Sequence, residues 1–305
     1  MTRSKNLRRS KSKQLTLSGQ ALTRIAQKTI NSLAPPPDVN VSDWADKYRR
    51  LSPEASAEGG AWSTDRGEYQ RGIMDAISDD KIENIVVMSC AQIGKTEMLL
   101  NLIGYHIDQE PAPMLVVQPT LDMAATFSRD RLAPMLRDTK CLSGKVKDPR
   151  ARDSGNTLYT KQFDGGHITL VGSNSASGLA SRPIRLVLFD EVDRYQVTTE
   201  GDAIDLARKR AATFWNRKFV MVSTPTNRGS SRIEAAFENS DKREYHVKCA
   251  DCGEHQVMQW ANVHWEADRP ETAVYHCEHC GTLWDDAARQ RAIKRGKWIA
   301  TNPLV

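Results

Sequence analysis

The sequence has no long hydrophobic run. No uninterrupted apolar stretch approaches the roughly 18 residues from which a membrane-spanning helix is predicted. Met1–Gln14 is basic, but the apolar segment of a secretory signal peptide does not follow it. We therefore expect an intracellular protein with no membrane partner. Its 305 residues leave room for one large core domain and a smaller module.

Acidic residues are absent before Asp38. The basic residues that precede it are Arg3, Lys5, Arg8, Arg9, Lys11, Lys13, Arg24 and Lys28. The whole chain has 43 basic and 38 acidic residues, and setting these eight aside leaves 35 against 38, a net charge of −3. The body is not globally basic, so its binding to DNA would need a local patch or loop. The tail either adds salt-dependent phosphate contacts or is a disordered solubilising or targeting arm.

Cysteine is scarce, but four of the six cysteines form two CxxC pairs. These are Cys249 with Cys252 and Cys277 with Cys280, separated by 24 residues. Two such pairs are typical of a closed tetrahedral zinc site, and a glycine follows each pair, where a tight turn needs it. We predict a structural zinc ribbon; a disulfide is disfavoured inside a cell. The second-choice ligands are His246, His255, His276 and His279.

A candidate phosphate-binding loop follows an apolar, β-branched segment. The pattern GxxxxGK[ST] ends here in Gly94, Lys95 and Thr96, although Ser89 replaces its first glycine. Gln92 lies in the loop between Ser89 and Gly94. In such loops backbone N–H groups surround the phosphates, the lysine neutralises their charge and the threonine hydroxyl binds Mg²⁺. The alternative is a chance helix start after a buried strand.

A second apolar segment, Leu186–Phe189, ends in two acidic residues. Carboxylates at the end of a parallel strand face the crevice where ligands bind. We predict that Asp190 holds Mg²⁺, directly or through water, and that Glu191 polarises the water that attacks the γ-phosphate. The alternative is a solvated loop after a core strand.

Apolar segments alternate with helical stretches through the middle of the chain. The predicted strands are Ile85–Met88, Met114–Gln118, His167–Val171, Leu186–Phe189 and Phe219–Val222. The predicted helices are Leu15–Leu33, Glu68–Ile77, Thr96–Ile107, Leu121–Arg137 and Thr199–Ala212. Such alternation indicates a parallel sheet flanked by helices. The predicted fold class is α/β, a P-loop NTPase of the ASCE or RecA-like kind with a small C-terminal zinc ribbon.

Two weaker patterns fit a nucleotide site. Ser223 and Thr224 follow an apolar segment, so their hydroxyls are candidates for a sensor loop near the γ-phosphate; the alternative is a strand that simply stops before Pro225. Tyr69 and Gln70 are candidates to stack on an adenine and to hydrogen-bond it, although aromatic residues before a helix are more often part of a core.

The combined motifs resemble the large terminase subunit of tailed double-stranded DNA bacteriophages, specifically the lambda-like GpA family. The resemblance covers approximately Val41 to the C-terminus. It rests on the serine-led SxxxxGKT loop, LVLFDEVD, VSTPT and the CxxC pairs, together with Gly178–Pro183 and Gly296–Pro303.

The resemblance implies an ATPase motor that packages double-stranded DNA into a procapsid through the portal, in the host cell cytoplasm. Implied partners are a small terminase subunit, the portal protein and further copies of the chain in a homo-oligomeric ring, and implied cofactors are ATP, Mg²⁺ and Zn²⁺. It also implies the roles given above for Lys95, Thr96, Asp190 and Glu191. By the same resemblance, Ser223 with Thr224 would couple hydrolysis to movement, and Tyr69 with Gln70 would contact adenine.

Two departures from the family pattern change the expectations. Many large terminases have an arginine before the glutamine of the loop, whereas this chain has Ala91. Arg182 or Arg185 is therefore the candidate to stabilise charge in trans from a neighbouring subunit. The resemblance also implies a C-terminal nuclease domain, for which few residues remain after the ribbon, so we expect this chain to be the ATPase half of a longer protein that also cuts DNA. We expect a basic tail and short helix over residues 1–40, the ATPase domain over 41–243, and the zinc ribbon with the start of a linker over 244–305.

Two rival functions remain open at this point. A helicase-like or remodelling ATPase would need a second motor lobe, but only about 80 residues follow Ser223. A nonenzymatic zinc-ribbon module that binds DNA and assists assembly is favoured by Ser89 and Ala91, whereas the intact Lys95 and Glu191 oppose it.

Overall fold

The computed structural model describes residues 39–56, 58–146, 155–179, 182–197 and 201–303. The basic tail and the helix predicted over Leu15–Leu33 lie outside these residues. Val39–Val305 form one compact unit by their contacts. Within the described ranges, no helix has both the length and the apolar character needed to cross a bilayer.

The described residues form strands and helices that alternate until about residue 240. In chain order, the strands are β1 (Arg50–Leu51), β2 (Gly60–Ala61), β3 (Asn84–Met88), β4 (Pro113–Gln118), β5 (Thr160–Phe163), β6 (Gly166–Gly172), β7 (Leu186–Asp190), β8 (Lys218–Ser223), β9 (Arg243–Lys248), β10 (His255–Val257), β11 (Val263–Glu266), β12 (Arg269–His276), β13 (Leu283–Trp284) and β14 (Lys297–Ala300). The α-helices are α1 (Val41–Tyr48), α2 (Tyr69–Asp75), α3 (Lys95–Asp108), α4 (Leu121–Thr126), α5 (Ala133–Asp138), α6 (Ala176–Leu179), α7 (Ala203–Arg210), α8 (Arg232–Glu238) and α9 (Asp286–Lys294).

A six-stranded sheet forms the centre of the fold. Its strand order is β3-β8-β7-β4-β6-β5, and every neighbouring pair is parallel except β5 with β6. The five strands predicted from the sequence are confirmed, and so is the mostly parallel α/β sheet. Strand β8 lies between the strand before the candidate loop and the strand that ends in Asp190.

Both faces of this sheet are buried, which explains why its strands are continuously apolar in sequence. Val116 and Leu188 face the cluster that contains α3, whereas Val117 and Phe189 face the cluster that contains α7 and α8. Burying each such side chain stabilises the fold by about 1.5–3 kcal/mol. The sheet is therefore a rigid platform for the loops at its edge.

The helices predicted over Glu68–Ile77 and Thr96–Ile107 are confirmed to within two residues at each end, and two other helices differ more from their predicted bounds. The segment predicted as one helix, Leu121–Arg137, has a π-helical turn over Phe127–Leu132, just before Pro134. Proline has no N–H for the α-helical ladder, so a local change of hydrogen-bond register accommodates it. Helix α7 begins at Ala203 because the Asp202 side chain accepts a hydrogen bond from Ile204 N and caps it.

The C-terminal part has its own small core. Sheets β10-β9-β14 and β11-β12-β13 surround a cluster that includes Val247, Tyr275, Trp284 and Ala292. Strand β9 begins at Arg243, beside the boundary predicted between residues 243 and 244. That division into domains stays a prediction, because the contacts group this part with the large sheet in one compact unit.

Candidate nucleotide site and cysteine centre

Three neighbouring strands, β3, β8 and β7, end at one edge of the central sheet and bring the predicted loop, acidic and hydroxyl residues together there. Met88 pairs with Ser223, and Asp190 pairs with Val222 one strand further on. The loop before α3, the acidic pair after β7 and the hydroxyl pair after β8 therefore share the carboxyl edge, where ligands of parallel sheets bind.

The candidate phosphate loop, residues 89–94, has the backbone geometry of a tight strand-to-helix turn. Gly94 has a φ of 88° and caps α3, and Gln92 is also left-handed with a φ of 60°. Ser89 is not among the left-handed residues, and its N–H continues the ladder to Ser223 O at 3.2 Å. A glycine is therefore not needed at Ser89, which explains how the loop forms without the first glycine of the pattern.

Lys95 lies close to all three parts of the predicted site. Its Nζ donates hydrogen bonds to Cys90 O at 3.0 Å and to Thr224 Oγ1 at 2.8 Å. The same Nζ lies 3.8 Å from Glu191 Oε1, and the side chain is only 6% exposed. One cationic group thus links the loop, the acidic strand end and the hydroxyl pair. Thr96 follows on the first turn of α3 and is half-buried.

Asp190 is buried and incompletely hydrogen-bonded. Gln118 Nε2 donates to its Oδ2 at 2.9 Å, whereas its Oδ1 has no hydrogen-bond partner among the described residues. Burial raises the pKa of Asp190 to about 6; the charge of Glu191 adds to this rise, and the hydrogen bond from Gln118 opposes it. A buried carboxylate oxygen without a donor is the kind of ligand that Mg²⁺ takes.

Glu191 has an unusual backbone for its residue type. Its φ is 53°, in the left-handed region, where a residue other than glycine is strained by about 1–3 kcal/mol. Its carboxylate is partly exposed and lies within 4 Å of both Lys95 Nζ and Arg194 Nε. Strain of this kind at the end of a buried strand is often found at functional sites.

The two predicted hydroxyl residues have different surroundings. The Ser223 hydroxyl is buried. It accepts a hydrogen bond from Asp193 N at 3.3 Å and donates one to Thr224 O at 3.1 Å, so it stabilises the backbone on both sides. Thr224 is the one whose hydroxyl contacts Lys95.

Tyr69 and Gln70 lie against the candidate loop. The Gln70 amide donates to Ile93 O at 2.7 Å, and the Tyr69 hydroxyl donates to the same oxygen at 3.3 Å. The structure therefore joins this pair to the loop backbone. Their contact with adenine remains a prediction.

The two candidate arginines lie away from Lys95. Arg185 precedes β7, its N–H bonds Pro113 O at the amino end of the sheet, and its buried guanidinium pairs with Glu110. Arg182 is exposed and lies near Leu115 and Thr169, on the face of the sheet. Neither contacts the site of its own chain, so the proposed role of Arg182 can only be played towards another copy.

Two residues that shape the site were not singled out from the sequence. Gln118 ends β4 and fixes Asp190. Asp193 accepts hydrogen bonds from Thr226 N at 2.9 Å and Ile233 N at 2.9 Å, and so ties the loop after β8 to α8. A polar residue at the end of an apolar strand was the available signal for Gln118.

The four paired cysteines form one cluster. Their sulfur atoms all lie within 4.8 Å of one another, and both Cys249–Cys280 and Cys252–Cys277 are 3.9 Å apart. Four thiolates around Zn²⁺, each at about 2.3 Å, would be separated by about 3.8 Å. A disulfide needs about 2.05 Å. The spacing therefore fits a tetrahedral metal ion.

The two cysteine turns are built alike. Gly253 N bonds Cys249 O and Gly281 N bonds Cys277 O, with φ values of 80° and 73° at the two glycines. The buried Gln256 amide donates to Cys277 Sγ at 3.3 Å, as an outer partner of a metal ligand does.

A mostly parallel sheet with a lysine loop and an acidic strand end at one edge defines an α/β protein of the NTPase class. Residues 56–298 match the family described as phage terminase large subunit gpA, ATPase domain. The chain belongs to this family.

Two curated relatives are similar along most of the chain. The large terminase subunit of Enterobacteria phage P21 is 29% identical over 288 residues, covering 91% of this chain and 44% of the relative. The large terminase subunit of Escherichia phage lambda is 28% identical over 268 residues, covering 85% of this chain and 42% of the relative. The chain thus spans less than half of either relative.

A solved structure supports the fold. The large terminase of bacteriophage HK97 superposes with a TM-score of 0.53 at 13% identity, covering 67% of this chain and 41% of that one. At this identity the likeness concerns the fold and not the roles of residues.

Proposed function

We propose that this chain hydrolyses ATP as the motor module of a phage DNA-packaging terminase. The observation that carries the proposal is the position of the Lys95 ammonium group, which contacts the loop carbonyl of Cys90 and the Thr224 hydroxyl and lies 3.8 Å from Glu191. Phosphoryl transfer to water needs a cation on the phosphates and a group that orients the attacking water, and Lys95 and Glu191 would supply these two parts side by side.

In this proposal each residue has one task. The loop of Ser89, Gln92 and Gly94 presents backbone N–H groups to the phosphates, and Lys95 neutralises their charge. Glu191 orients and polarises the attacking water. The strand order, with β8 between the loop strand and the acidic strand, supports assignment to the ASCE or RecA-like kind.

The residues that would hold Mg²⁺ are Asp190 and Thr96. The unpartnered Oδ1 of Asp190 fits this role, and Thr96 directly follows the loop lysine. When bound, the ion neutralises charge on the phosphate oxygens. Thr224 then reports the state of the γ-phosphate through Lys95, and Tyr69 with Gln70 flanks the nucleotide at the other end of the loop.

The proposal extends to the setting of the reaction. Because the P21 and lambda relatives are large terminase subunits, we infer a phage-encoded protein that acts on double-stranded DNA in the host cell cytoplasm. Its partners would be a small terminase subunit, a portal and procapsid, and further copies in a ring. In such a ring the exposed Arg182 would reach the site of a neighbour.

We also propose that Cys249, Cys252, Cys277 and Cys280 hold Zn²⁺ in a closed structural site. The sulfur spacing of 3.9 Å and the matching turns support it. Closed tetrathiolate sites stabilise small folds and leave no open position for catalysis.

Single-turnover hydrolysis of ATP tests the proposed reaction. Glu191→Gln should slow hydrolysis by about 10²-fold or more, as loss of a general base does, while ATP binding persists. Glu238→Gln, on the exposed side of α8, is the matched control and should leave both unchanged. Equal rates for wild type and Glu191→Gln would contradict the role of Glu191. Binding without turnover by the wild type, even with DNA and portal, would favour the nonenzymatic assembly module.

A further inference from the structure

Trp298, in the last strand of the C-terminal part, reaches the start of α2. Its indole Nε1 donates a hydrogen bond to the backbone oxygen of Tyr69 at 2.9 Å. The two residues are 229 positions apart in sequence, so this contact fixes the C-terminal sheet to the segment before the candidate loop.

The indole is held from two sides. A Cβ placed on Gly72 of α2 would lie 2.7 Å from Trp298 Cδ1, so the ring packs directly on that glycine. On the other side, the Tyr245 ring meets Trp298 edge-on with centroids 5.3 Å apart, and it meets Tyr69 in the same manner at 6.1 Å. Tyr245 in turn donates to Ile293 O at 2.7 Å. The contact is a packed aromatic junction and not an isolated hydrogen bond.

The same turn of α2 that Trp298 holds also holds the candidate phosphate loop. Tyr69 and Gln70 both donate to Ile93 O, and a Cβ on Gly94 would lie 2.6 Å from Gln70 Nε2. The carbonyl of Ile93 and the N–H of Gly94 belong to one planar trans peptide unit, so they point in opposite directions. Fixing the carbonyl therefore fixes the direction of the Gly94 N–H, which in loops of this kind faces the phosphates.

We propose that Trp298 is a positioning residue for the nucleotide site, which acts through Tyr69, Gln70 and the Ile93–Gly94 peptide to aim the Gly94 N–H at phosphate. This inference rests on the proposed function. It makes the cysteine-bearing part of the chain a support of the phosphate loop.

The affinity of the full chain for two probes tests the inference: a nonhydrolysable ATP analogue and inorganic tripolyphosphate, which has no adenine. Trp298→Phe keeps an aromatic ring and loses the N–H donor. Loss of one hydrogen bond should lower the affinity of the chain for both probes about 3- to 10-fold. Trp260→Phe, at an exposed tryptophan of the same C-terminal part, is the matched control and should change neither.

Coupling separates positioning from a general loss of structure. Gln70→Ala should weaken both probes as well, and the double variant with Trp298→Phe should be little worse than the more affected single variant, because both act on one peptide. Gly72→Ala should reproduce the loss with the indole intact, since its methyl group displaces the ring. Rates at saturating ATP should change less than the affinities do.

The outcomes are distinct. Unchanged affinity in Trp298→Phe and Gly72→Ala overturns the inference while the proposed function stands. Additive losses in the double variant, or weaker ATP binding with unchanged tripolyphosphate binding, also overturn it, because the effect would then not pass through the phosphate loop. Wild type that binds neither probe refutes the nucleotide site and this inference with it.

Discussion

Asp190 ionises in an environment that opposes its charge. Its pKa is about 6, above the ordinary value of 3.8, because the side chain is buried. The folded protein therefore keeps a proton that the unfolded chain has lost between these two values. The stabilisation linked to that proton is fully present below about pH 4 and is lost as pH rises through about 6. At neutral pH the site holds a carboxylate whose desolvation a bound cation would offset.

We expect Asp190→Asn to be more stable than the wild type at pH 7, by up to about 3 kcal/mol, and to lose this advantage towards pH 4. Denaturant titrations of both proteins without nucleotide at a series of pH values measure the difference. Buried His106 also titrates in this range, because burial lowers its pKa to about 4, and it destabilises both proteins as pH falls. Taking the difference between variant and wild type removes this shared contribution. A pH-independent difference would show that Asp190 is not perturbed in this way.

The residues that meet at Lys95 could be predicted because the ends of parallel strands share an edge. Asp190, Glu191 and Thr224 each follow an apolar segment, and this pattern is visible without coordinates. The end of an apolar strand marks Gln118, but its hydrogen bond to Asp190 could not be predicted, since nothing in the local sequence shows that β4 pairs with β7. Likewise, the hydrogen bond from Gln70 to Ile93 O depends on where α2 packs, and the sequence alone predicted an adenine contact or a core position for this pair and not a contact with the loop.

At the scale of elements, helix α3 packs closely against α1. A Cβ placed on Gly104 would lie 2.3 Å from Trp44 Cη2, and the Trp44 indole donates to Asp108 Oδ2 at 2.8 Å. Glycine inside a helix is normally unfavourable by about 0.5–1 kcal/mol relative to alanine. Here the close approach of the two helices requires it.

We expect Gly104→Ala to destabilise the protein by about 1–2 kcal/mol, because overpacking of about 1–3 kcal/mol exceeds the gain in helix preference. Equilibrium unfolding in urea measures the effect. The loss should shrink in a Trp44→Phe background, where the ring is smaller. A Gly104→Ala protein as stable as the wild type would show that Trp44 shifts freely.

The five parallel strands of the central sheet were predicted from the sequence, but the antiparallel strand β5, the short strands of the C-terminal part and the ends of the helices were not. The strands of the central sheet are recognisable because burial on both faces makes them apolar throughout. The start of α7 depends on the side chain of Asp202, and the π-helical turn before Pro134 depends on how one proline is accommodated in a helix. Hydrophobic periodicity does not report either effect.

At the scale of the whole molecule, the cysteine cluster supports a small core that contains few large side chains. We expect the purified chain to hold one zinc ion. Removing zinc with a chelator should lower the melting temperature, because a metal that binds only the folded state stabilises it.

Elemental analysis and thermal unfolding check this expectation. Cys277→Ser should lose zinc and destabilise the protein, whereas Cys141→Ser, a cysteine outside the cluster, should keep the metal. Retention of zinc in Cys277→Ser would mean that a different ligand, such as a nearby histidine, completes the site.

The order of the strands sets the distance between the strand before the phosphate loop and the strand that ends in the acidic residues. Because β8 separates β3 from β7, the loop strand and the acidic strand lie about two strand spacings, or about 9.5 Å, apart. Lys95, which follows the loop after β3, and Glu191, which follows β7, have long side chains whose charged ends lie 3.8 Å apart. Strand β8 thus sets the distance between the two strands, and the side chains of Lys95 and Glu191 make the contact across it. Substituting either residue with a shorter one of the same charge would open the contact without moving a strand.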